Sequence, residues 1–138
     1  MDDSRQMTGS GQTASENTIT LARAAAEAIR DLNWATRHEP GLGQPSVAYD
    51  ILGALSLAAS RIGQALAQIT RYLDRALAAG RLGHDHGQDP ARAVDATTVF
   101  LCDAAASAAA LAGDLDAAQQ QLAPVHGRPA RPGRKDTR

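Results

Sequence analysis

The chain has 138 residues and a formal net charge of −1, and its 30 alanines outnumber its 29 large apolar side chains. That length fits one domain and excludes two independent cores. Four aromatics (Trp34, Tyr49, Tyr72, Phe100) are too few for a sandwich or barrel,, so alanine with scattered leucine points to closely packed helices.

Residues 1–12 are acidic, Ser/Gly/Gln-rich and without an apolar core, which predicts a disordered segment and no secretory signal,. Thr13 and Glu16 stand at capping-box spacing and predict a helix start,. Leu21, Ala25, Ala28, Leu32 and Ala35 then step by four and three, giving a first helix over 14–37,. Trp34 is expected to pack the end of that helix against the following turn. Two prolines and two glycines in 38–45 break the pattern,.

The second helix is expected from Ser46, as N-cap, to Gly80, as the residue just past the end,. Ala48, Leu52, Leu55, Ala59, Ile62, Leu66, Ile69, Leu73 and Ala76 form an unbroken seam of coiled-coil period,. Ile51, Ala58, Ala65 and Tyr72 make a second stripe beside it. Asp89–Pro90 is the clearest start signal in the chain, an acceptor at the N-cap followed by a residue that needs no amide donor,. The third helix carries Val94, Thr97, Leu101, Ala104, Ala108, Leu111, Leu115, Ala118 and Leu122 and stops before Pro124. Cys102, the one cysteine, stands beside Val99, Phe100 and Leu101 and reads as a buried structural thiol,. No apolar run is expected to reach the ~18–20 residues of a membrane span. The tail 124–138 sets Arg128, Arg131, Arg134, Lys135 and Arg138 against Asp136 and reads as disordered and basic,.

These elements predict an all-α fold: an antiparallel three-helix bundle over 13–123, its two long helices forming a hairpin, with disordered termini at 1–12 and 124–138. A first helix of ~24 residues beside a second of ~34 falls short by ~15 Å. The uncovered part would lie at the turn between the second and third helices. Tyr72, Leu77, Val99 and Phe100 are therefore the expected partner contacts,.

Chemistry finds little purchase. His84 and His86 are flanked by carboxylates, but a closed metal site needs four converging ligands, so no metal site is expected,. Asp50, Asp74, Asp95, Asp103, Asp114 and Asp116 lie off the seams as a solvated face, and Asp114 and Asp116 do not face each other,. Arg75 and Asp95 are expected to pair across the hairpin, fixing register more than stability. Gly41 and Gly43 lack the sequence of a phosphate loop,. No catalytic residue, cofactor or enzymatic activity is expected.

Two resemblances bear on function. The stretch LAASRIGQALAQITRYLDRALAAGRLGHD is similar to the core of winged helix-turn-helix regulators, which implies DNA contact through Arg61, Gln64, Gln68 and Arg71,. Against it stand the unbroken seam across Ile62–Gly63 and an acidic segment where a wing carries cations. EPGLGQP and AAGRLGHDHGQDPARAV resemble small, Ala-rich all-α proteins of high-GC actinobacteria, a group without assigned activity, which implies the helical fold alone. The expectation is a cytoplasmic, non-catalytic interaction module that forms a homodimer or binds another helical protein, away from membranes. A DNA-binding regulator using the second helix is the alternative.

Overall fold

A computed structural model of the chain describes residues 4–129. All its regular structure is helical: α1 (Ser4–Ala35), α2 (Glu39–Leu42), α3 (Pro45–Ala78) and α4 (Pro90–Leu122), with no strand among the described residues. The chain divides into two compact units, Met1–Gly43 and Gln44–Arg138.

In the first unit, α1 has 32 residues and runs through Thr13 and Glu16, so neither starts a helix. It includes residues 4–12, where composition alone predicts disorder; residues 1–3 lie outside the described residues. Hydroxyls that would favour caps are absorbed within the helix, Ser15 donating to the Gly11 carbonyl at 3.1 Å and Thr18 to that of Ala14 at 3.0 Å,. The prolines and glycines that follow fold into the single turn α2, with Gly43 at φ 63°. Gly41 is dictated by proximity, since a Cβ there would collide with the Ala35 carbonyl oxygen,.

In the second unit, α3 begins at Pro45 with Gln44 as N-cap. Ser46 is therefore already helical and not the cap, because proline at N1 sets the start one residue earlier,. The other end of α3 and the start of α4 follow the sequence signals. Gly80 adopts φ 68°, while the Arg81 amide donates to the Ala76 carbonyl and the Gly80 amide to that of Leu77, each at 3.0 Å, a Schellman ending,. The Asp89 carboxylate accepts the Ala91 amide at 2.9 Å,.

Helices α3 and α4 pair antiparallel. The Ser56 hydroxyl donates to the Ala112 carbonyl at 2.9 Å, and the Gln119 amide to the Tyr49 carbonyl at 3.1 Å. Gly63 lies opposite Ala105 and Ala108. The buried apolar residues among those described are Ala59, Ala76, Val94, Ala108 and Ala112. Small side chains thus dominate the buried contact, and no large side chain among the described residues is fully buried. Beyond α4, the described part of the tail has no regular structure, and Gly127 lies against Gln44 and Pro45. Residues 130–138 lie outside the described residues.

By length and composition α4 is apolar enough to cross a membrane, contrary to the expectation above. The reason is alanine: it fills the middle of the helix, where an eighteen-residue stretch holds few charges and reaches a mean hydropathy of 1.4. Asp103 stands within that helix, where an ionised carboxylate at a bilayer centre would cost about 2.5–3.5 kcal/mol,.

Candidate interaction surface

The geometry of the hairpin divides each of the two apolar seams. Ser56 and Gly63 of α3 meet Ala105 and Ala112 of α4, and seven-residue steps along each helix repeat that contact line,. Leu52, Ala59, Leu66 and Leu73, all buried or half-buried, complete the contact on one side of that line, and Leu55, Ile62 and Ile69 stand one step further round,. On α4 the equivalent steps give Leu101, Ala108, Leu115 and Leu122, then Ala104, Leu111 and Ala118. Because the helices run in opposite directions, both sets fall on the same side of the hairpin. The inner half of each seam therefore lies in the helix contact, and the outer halves form one shared apolar face beside it. Ile62, Ile69 and Leu111 on that face are 53%, 47% and 52% exposed.

The opposite face gathers polar side chains, with Leu57 and Val99 exposed among them. It carries Ser60, Gln64, Arg71 and Asp74 from α3, with Asp95, Cys102, Asp116 and Gln120 from α4. Cys102 is exposed, correcting the expectation of a buried thiol: its apolar neighbours in sequence point elsewhere around the helix,. It lines a hollow with Ala67, Thr70, Arg71, Leu101 and Ala105. The arginine comes from the facing helix, so inspection of sequence neighbours could not find it.

The expected partner contacts separate. Tyr72 (51% exposed) and Phe100 (73% exposed) lie at the two outer edges of the apolar face, near the turn end. Leu77 is half-buried towards α4. Val99 is exposed but belongs to the polar side, about 100° around the helix from Phe100,. The length argument that favoured the turn end loses its premise, since α1 has 32 residues and α3 has 34. Exposed apolar residues run the length of the hairpin, Ile62 and Leu111 at mid-helix included.

Arg61, Gln64, Gln68 and Arg71 are all exposed, Gln64 and Arg71 on the side of α3 away from the apolar face, Arg61 and Gln68 on its outer side,. The helix is continuous through Ile62–Gly63, so the turn of a helix-turn-helix does not form there. Arg75 makes no ion pair with Asp95, because it projects from the outer side of α3; the ion pairs among the described residues are the local contacts of Arg30 with Glu27 and Asp31. His84 and His86 have ring centroids 5.5 Å apart, and the His84 Nδ1 accepts the His86 backbone amide at 3.1 Å. Trp34, expected to pack against the turn, is 66% exposed, with the Arg37 guanidinium 5.1 Å from its ring centroid,.

Comparison with protein-family models, with curated proteins and with solved structures found no match.

Proposed function

We propose that this chain is a non-catalytic helical interaction module, cytoplasmic, whose α3–α4 hairpin self-associates through its apolar face. The observation that carries this reading is the position of the large side chains. The helices meet through Ser56, Gly63, alanines and part-buried leucines, which leaves Ile62, Ile69 and Leu111 beside the contact and about half exposed. Full burial of one such side chain contributes about 1.5–3 kcal/mol. A face with several of them half covered holds enough unrealised stabilisation to drive association.

Two covers are available. A second copy offers an identical face, the self-complementary arrangement of a two-fold dimer. Helix α1 offers Leu21, Ala25, Ala28, Leu32 and Ala35, and laying it on the same face would complete the antiparallel three-helix bundle. That stripe holds only two large side chains, whereas the second copy brings a full set, so the dimer is the favoured form.

The test is molar mass by light scattering of the full chain, alone and as Ile62→Lys and Leu111→Lys. The expected result is the mass of two 14.4 kDa chains, falling to one in both variants with helix content unchanged. A monomeric natural chain would overturn self-association and favour the three-helix form. Adding duplex DNA at low salt separates the regulator reading, since co-elution through arginines disappears as salt rises.

A further inference from the structure

The two helices of the hairpin differ in charge, and the difference selects one way of pairing two copies. Helix α3 carries Arg61, Arg71 and Arg75 against two aspartates; α4 carries four aspartates against Arg92. Arg61 lies just beyond the outer edge of the apolar face on α3, and Asp103 and Asp114 lie just beyond its outer edge on α4,.

Two face-to-face arrangements keep two-fold symmetry and full overlap. If the turns point to opposite ends, α3 lies on its own copy. Arg61, at the middle of Pro45–Ala78, then comes level with the second Arg61. Like charges at one level oppose that pairing. If the turns lie at the same end, α3 lies on the second copy's α4. Arg61 is then level with the stretch between that helix's Asp103 and Asp114, since Gly63 is level with Ala105 in the hairpin itself. The same arrangement sets Tyr72 within about one helical turn of the second copy's Phe100 along the axis, at both edges of the interface. Two exposed aromatics that have no role in the lone hairpin become edge pairs.

Resting on the self-association proposed above, we infer that two copies pair as a four-helix assembly with their α3–α4 turns at the same end, α3 of each against α4 of the other. The two-fold axis runs parallel to the helices, and every neighbouring pair is antiparallel.

The test places a spin label in the turn of the full chain, as Asp85→Cys in a Cys102→Ser background, and measures the label–label distance by pulsed dipolar spectroscopy. A single distance below about 30 Å is expected. Turns at opposite ends would place the labels about 50 Å apart, the length of a 34-residue helix,. That distance, in a sample with the mass of a dimer, overturns this pairing and leaves self-association standing; a monomeric mass overturns both. A second measurement uses charge reversal. Arg61→Asp is expected to raise the dimer dissociation constant up to about tenfold, with recovery on adding Asp114→Arg. Absence of recovery in a folded double variant counts against α3 lying on α4 of the second copy.

Discussion

The Ser56 hydroxyl reaches across the hairpin and donates to the carbonyl oxygen of Ala112 at 2.9 Å. It is a side chain-to-backbone bond between two helices, in a part-buried setting, at a level where a serine faces an alanine. Ser56→Ala keeps the small volume and removes the donor, so a loss of about 1 kcal/mol is expected in chemical denaturation. Ser56→Leu forces a large side chain between backbones that are held apart only by small residues, and a loss above that of alanine is expected. Equal effects of the two substitutions would show that the helices are not held closely at this level.

Two glycines with opposite roles give a second test. Gly63 is inside α3, and a Cβ there would find Ala105 and Ala108 at 4.0 Å, an ordinary contact. Helix-interior glycine costs about 1 kcal/mol relative to alanine, so Gly63→Ala is expected to raise stability by up to that amount. At Gly41 the added carbon would meet the Ala35 carbonyl, and Gly41→Ala is expected to disrupt the α1–α2 turn. Thermal unfolding of both variants checks the pair, with shifts of opposite sign.

The start of α4 yields the third. Asp89→Ala removes the acceptor of the Ala91 amide and is expected to cost about 0.5–2 kcal/mol, while Asp89→Asn keeps an acceptor and costs less,. Circular dichroism melts of the two variants give the comparison.

Local chemistry was readable from the sequence where it is complete within a few residues. Asp89–Pro90 and Gly80 are such cases, and both helix ends fall where those residues put them. Thr13–Glu16 misled because a capping box is also a pair of ordinary helical residues; the neighbouring Ser15 and Thr18 satisfy their hydroxyls on carbonyls one turn back. The seams were read residue by residue, and their role in part. Hydrophobic periodicity located the half of each seam that is buried in the contact, Ala59 and Leu66 with Val94 and Ala108, but gave no weight to Ser56 and Gly63, which complete it, and did not separate off exposed Ile62 and Leu111. Cys102 was misjudged for the same reason, since its surroundings are set by which side of the contact line it occupies and not by Leu101 beside it.

That position of Cys102 supplies the last prediction. The thiol is exposed on the polar face, opposite the face proposed to be buried between copies. A dimer built on the apolar face therefore leaves both thiols open to solvent. One thiol per chain is expected to react with an aromatic disulfide reagent in the native dimer, at a rate that does not depend on protein concentration across the monomer–dimer transition. Protection that grows with dimer formation would place Cys102 inside the interface and move association to the polar face. Oxidation supplies a check of the same geometry. Disulfides formed through Cys102 are expected to link one dimer to another, giving species of four chains and more under native conditions, and a covalent pair confined within a two-chain species would contradict the buried apolar face.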